Sequence, residues 1–250
     1  MKEHDLMKEK IYTIPLNEAY ETDCECPLCF LEKKLEEEAI EYTLGAAMME
    51  PDFRIESNEK GFCKNHYSML FSKQNKLSLA LILETHMEEI SKSLDSLSKE
   101  FENPSQKRLF KKSSESNKID DWFDKNNSSC VICDKVEKTM KRYIEVFFYM
   151  WSHDKEFKNK VISSKGFCLY HFGILFENAQ KYLKKNDAAD FLNIIYNKEK
   201  DELMRINEDI HKFTLKFDYR NKDMEWGTAI DAPVRAIEKL SGYIHIKNSD

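Results

Sequence analysis

Glycine and proline are scarce, at 6 and 5 of 250 residues. A sheet-rich fold needs turn residues every ten or so positions, so the shortage argues against one and for helices. Long apolar runs are missing too. No stretch approaches the ~18 to 20 apolar residues that cross a bilayer, and the opening segment MKEHDLMKEKIYTIPLNEAY has no apolar core of a signal peptide. The expectation is a cytoplasmic protein with no membrane partner. Catalytic signatures are absent as well: no nucleophile elbow, no phosphate loop, no His-Glu-x-x-His. An enzyme is therefore the weaker expectation.

What is present is a chain rich in both apolar (41%) and charged (34%) residues, long enough to bury a sizeable core. The formal net charge is -6, with acidic residues in excess over 1–102 and basic ones over 103–250. The densest basic stretch, KRLFKK at 107–112, is short, so nucleic acid is disfavoured as a partner. Seven cysteines in a reducing compartment point to metal or redox chemistry rather than a disulfide framework.

Apolar spacings of three and four predict a helix from about Pro27 to Met48, a second starting near Cys63, and a third over Asn75–Phe101. Further helices are expected after Cys133 to about Trp151, from Cys168, and over Asp187–Phe217. The order of elements repeats at an offset of about a hundred residues. This predicts an all-α fold of two pseudo-repeated helical modules forming one elongated body: 1–102, a polar linker at 103–129 pinned by Trp122 and Phe123, and 130–250 with a C-terminal tail helix.

The repeat carries chemistry. CPLC (26–29) precedes GFCKNH (61–66), and CVIC (130–133) precedes GFCLYH (166–171). Read in sequence order, Cys26, Cys29, Cys63 and His66 form one four-ligand set, and Cys130, Cys133, Cys168 and His171 the other. Two ligands at x-x spacing on the first turn of a helix can converge on one ion, and two such turns complete a tetrahedron of three thiolates and one imidazole. Each module would then be stapled by its own ion. Helix N-termini favour thiolate over thiol, and the Gly of each GFC can take a φ that other residues resist. Three thiolates and one histidine favour two zinc ions per chain over an iron-sulfur cluster, which more often takes four cysteines. Cys24 remains open between a fifth thiolate, a resolving thiol and an incidental cysteine, with Ser128 at its matching offset. His86, His153 and His211 have no partner motif.

Together with FDYRNKDMEWGTAIDAPVRAIEKL at 217–240, these tandem motifs resemble an uncharacterised family of bacterial and archaeal proteins of unknown function with duplicated CPxC and GFCxxH motifs. The resemblance covers nearly the whole chain, and CVIC departs from it in lacking Pro. It implies a helical metal-binding protein and no established activity. In the tail, Asp231 and Pro233 predict the cap and first turn of a last helix. Tyr219, Arg220 and Trp226 could bind a partner, or anchor the tail while Arg220 pairs with Asp218. The functional expectation is a non-catalytic zinc scaffold that binds a protein or small ligand, the alternative an iron-sulfur or thiol-based redox sensor.

Overall fold

The computed structural model describes residues 3–101 and 118–243. These contain eleven α-helices and no strand, as the shortage of turn residues predicts. In order they are α1 (Glu3–Glu21), α2 (Pro27–Leu44), α3 (Pro51–Lys60), α4 (Lys64–Ser72), α5 (Lys76–Phe101), α6 (Lys118–Ser128), α7 (Val131–His153), α8 (Lys155–Ser163), α9 (Leu169–Tyr182), α10 (Lys185–Lys216) and α11 (Ala232–Ser241).

Helix boundaries follow local chemistry. Pro27 opens α2 and Pro51 opens α3, where a missing N–H costs nothing. The Asp154 carboxylate caps α8 by accepting from the Glu156 and Phe157 amides. Asp231 stands at the N-cap of α11, but its carboxylate accepts from Arg235 Nε at 2.8 Å rather than from a helix amide. Part of the expected linker at 103–129 is helical. Residues 118–128 form α6, whose Trp122 donates to Ser93 Oγ on α5 at 3.2 Å. The KRLFKK stretch lies outside the described residues.

The chain groups into two compact units. One comprises Met1–Lys34 with Thr139–Asp250, the other Leu35–Lys138. Their boundaries fall inside α2 and α7, so the grouping does not follow the expected division into 1–102 and 130–250. In the first unit, Phe147, Phe148, Phe157, Phe167 and Phe191 are all fully buried. Phe147 meets Phe157, Phe167 and Phe191 edge to face at 5.7–6.2 Å, an arrangement the ring quadrupoles favour. In the second, Ile40, Leu44, Phe53, Leu70, Leu79 and Ile82 form the core. There the Arg54 guanidinium on α3 donates to the Leu81 carbonyl of α5 at 2.8 Å.

Candidate metal centres

Each motif places its ligands at the start of a helix. Cys26 precedes α2 and Cys29 lies in its first turn, while Cys130 and Cys133 stand likewise at α7. Cys63 is the N-cap of α4 and Cys168 that of α9, with His66 and His171 in the turns that follow. Gly61 and Gly166 turn the chain into those helices with φ of 61° and 78°. A Cβ on Gly166 would stand 2.7 Å from Glu199 Oε2, and one on Gly61 2.6 Å from His86 Nε2. Both positions therefore require glycine. Phe62 and Phe167 are buried beside the ligands.

The eight residues converge in two groups, but not in the groups expected from sequence order. Cys26 and Cys29 meet Cys168 and His171 in the first unit; Cys130 and Cys133 meet Cys63 and His66 in the second. Each Cys-x-x-Cys thus meets the GFCxxH motif in the other half of the sequence. The reason lies in the return path. α7 runs 23 residues, about 34 Å at 1.5 Å per residue, and the segment leading back is itself mostly helix, the 9 residues of α8. Helix covers less than half the distance of extended chain, so Cys168 does not regain Cys130. The helical α3 shortens the return after α2 in the same way.

The four ligand atoms of each group lie within 4.8 Å of one another. Around Cys29, Sγ is 3.4 Å from Cys168 Sγ and 3.3 Å from His171 Nδ1, with Cys26 Sγ 3.6 Å and Cys168 Sγ 3.3 Å from the same nitrogen. In the second group His66 Nδ1 is 3.2 Å from both Cys63 and Cys130 Sγ and 3.4 Å from Cys133 Sγ, and Cys133 and Cys63 sulfurs are 3.8 Å apart. A tetrahedron with metal–sulfur and metal–nitrogen bonds of about 2.3 and 2.0 Å has edges of roughly 3.5 to 3.8 Å. Both groups come within a few tenths of an ångström of that figure.

Facing the far nitrogen of each imidazole is a carboxylate that the sequence analysis did not single out. His66 Nε2 is 2.7 Å from Glu36 Oε1, and both residues are buried. His171 Nε2 is 3.7 Å from Glu32 Oε2. The first is a hydrogen bond, which fixes tautomer and ring orientation and raises ligand basicity; the second is too long to be one, and His171 Nε2 is buried without a hydrogen-bond partner. A detectable signal did exist, since Glu32 and Glu36 follow Cys29 at three and seven residues, the helical repeat. The clustered sulfurs favour positive charge on both imidazoles. Burial would push His66 down, yet its hydrogen bonds to Cys130 and Glu36 and the pull of Cys63 raise it to about 10. Burial opposes charging of His171 as well, but the Cys168 and Cys26 sulfurs raise it to about 10.

The groups differ in exposure. All four ligands of the first are buried, Cys168 completely, and a Cβ on Gly242 after α11 would lie 3.7 Å from Cys29 Sγ. In the second, Cys63 and Cys133 are part-exposed. Beneath Phe167, a buried ion pair unrecognised in the sequence holds the turn. Glu199 Oε2 accepts from the Phe167 amide at 2.9 Å, and Lys239 Nζ lies 3.2 Å from Glu199 Oε1 while donating to the Lys165 carbonyl at 2.6 Å. Cys24 stands outside the group, its Sγ 4.0 Å from the Ala19 carbonyl. Burial and the neighbouring Cys26 push its thiol up to about 11.

A model described as a family of unknown function, DUF6062, matches residues 7–247. The chain belongs to the DUF6062 family. No curated protein and no solved structure gives a significant match. Of the residues singled out in this DUF6062 chain for partner binding, Tyr219 and Arg220 are exposed and Trp226 is half-buried. Arg220 is paired with Asp218 through both Nε and Nη2, and Trp226 packs against Phe213 and Phe217 at 5.4 and 6.1 Å. Among the described residues no helix is long and apolar enough to cross a membrane.

Proposed function

We propose that this cytoplasmic protein is a non-catalytic helical scaffold in which each compact unit is closed by one zinc ion held by three thiolates and one imidazole. The observation that carries the reading is the clustering of all four ligand atoms of each group within 4.8 Å, with a carboxylate hydrogen-bonded behind His66. Ligand atoms this close suit one ion. A cluster spreads its cysteines over separate irons, so the same distances weigh against iron-sulfur. Four protein ligands leave no coordination position for water, which supports a structural rather than a hydrolytic role.

The chain's residues would do the rest. Glu36 would orient the His66 imidazole, the buried glycines bring the turns close, and the ion would supply the charge that the thiolates require. The scaffold would serve to bind a protein or a small ligand. One surface for a protein is the tail, where Phe217 and Tyr219 are about three-quarters exposed beside Arg220 and Trp226. A place for a small ligand is the cleft of about 380 Å³ between α9 and α10, walled by Leu169, Phe172, Tyr196 and Met204. The test of the metal reading is elemental analysis and visible absorption of anaerobically purified protein. Two zinc per chain in a colourless solution is expected. Iron with visible charge-transfer absorption, or no metal, overturns it.

A further inference from the structure

The two centres, alike in ligands, are unlike in access. In the first unit every ligand is at most 6% exposed, and the end of α11 lies over the Cys29 and Cys168 sulfurs. In the second, Cys130 is 1% and His66 4% exposed, while Cys63 and Cys133 both reach the surface. Their sulfurs are 3.8 Å apart across the edge of the tetrahedron that faces solvent. All three sulfurs lie 3.2–3.4 Å from His66 Nδ1, but Cys130 is buried and also accepts from the Cys133 amide at 3.5 Å.

We propose that Cys63 and Cys133 are a peroxide-modification site: oxidation joins them in a disulfide and expels the ion of the second unit, while the first unit keeps its own. This rests on the metal reading above and assigns a regulation to one of its two centres. A part-exposed thiolate can meet an oxidant that a buried one cannot. The electrons balance with hydrogen peroxide as the oxidant. One thiolate sulfur attacks a peroxide oxygen, the O–O bond breaks, hydroxide leaves, and a sulfenic acid forms. The second thiolate then attacks that sulfur, the S–O bond breaks with loss of a second hydroxide, and the S–S bond closes. Two electrons pass from the sulfur pair to the peroxide. The sulfurs need to approach from 3.8 Å to about 2.05 Å, a small movement for two side chains at a surface. Only Cys130 and His66 then remain as donors, and two ligands do not retain a zinc ion against a chelator. The Cys29–Cys168 pair is closer still, at 3.4 Å, so access rather than proximity separates the centres.

The test uses the full chain. Metal is counted first; peroxide is then added in the presence of a metallochromic dye, and thiols are trapped and disulfides mapped by mass spectrometry. One equivalent of zinc should be released at least about tenfold faster than the second, with a Cys63–Cys133 disulfide, and dithiothreitol with added zinc should restore it. Cys133→Ser should carry one ion before oxidation, and that ion should resist peroxide. Release of both ions at one rate, loss of the first-unit ion first, a Cys130–Cys133 disulfide, or rapid release from Cys133→Ser each overturns the proposal. Protein that carries no ion before peroxide is added overturns the metal reading itself, and this inference falls with it.

Discussion

Replacing Cys29 and Cys168 by serine, singly and together, tests which cysteines share an ion. On the proposed reading each ion would close a loop, of 139 residues between Cys29 and Cys168 and of 70 between Cys63 and Cys133. Chain entropy makes such cross-links worth about 5 and about 4 kcal/mol respectively. The inner loop nests within the outer, so closing it shortens the outer one and brings both contributions to about 4 kcal/mol. Cys29→Ser should therefore remove one zinc and cost on the order of 4 kcal/mol in denaturant unfolding of the metal-loaded chain. Adding Cys168→Ser should remove no further zinc and cost little more, because the centre is already broken. Adding Cys63→Ser instead should remove the second zinc and a second increment of about the same size. Elemental analysis and urea titration of the two double variants decide the matter. If Cys29→Ser/Cys63→Ser keeps one zinc while Cys29→Ser/Cys168→Ser keeps none, the ligands pair in sequence order and the crossed arrangement is wrong.

Further outcomes are expected. Glu36→Ala should weaken zinc at the second centre about 10- to 100-fold in chelator competition, since it removes the carboxylate behind His66. Gly166→Ala should destabilise by about 1 to 3 kcal/mol, because φ of 78° and the nearby Glu199 carboxylate both oppose a side chain. Gly173→Ala, inside α9 with open space around it, should be neutral or stabilising by up to about 1 kcal/mol, and thermal melts compare the two. Cys24→Ser should keep both ions on elemental analysis, as its sulfur stands outside the ligand group. Asp209 supplies the pH dependence. Burial would raise its carboxyl, but the Thr228 hydroxyl and Arg235 guanidinium hold it below the ordinary aspartate value. A depressed folded pKa gives stability that is full above about pH 4 and is lost as pH falls through the folded value. Asp209→Asn should therefore lose less melting temperature than the parent chain over that acid range.

Much of this was legible beforehand. Helices α2, α7 and α10 announced themselves through apolar residues at spacings of three and four, and the eight ligands through two copies of two short motifs. Their pairing was hidden, because x33 and x34 spacings are compatible with either assignment. Only the return paths decide between them, and those depend on α3 and α8 being helical, which "DFRIESNEKG" and "SHDKEFKNKVISSKG" signal weakly. Glu36 did not stand out in its acidic surroundings, since a buried carboxylate differs from an exposed one only through the imidazole opposite. Lys239 and Glu199, 40 residues apart, carry no local pattern that marks them as a buried pair.

The crossed ligand sets also order the events of synthesis. A ribosome moving from the N-terminus delivers Cys26 and Cys29 first, yet their partners Cys168 and His171 emerge roughly 140 residues later, about 7 to 28 s at 5 to 20 residues per second. Meanwhile Cys63, His66, Cys130 and Cys133 have all appeared, so the inner centre can capture its ion and fold while the outer cysteines still wait with an incomplete set. The nascent chain would thus be metallated from the inside out, and the thiols made earliest would be the last to gain protection.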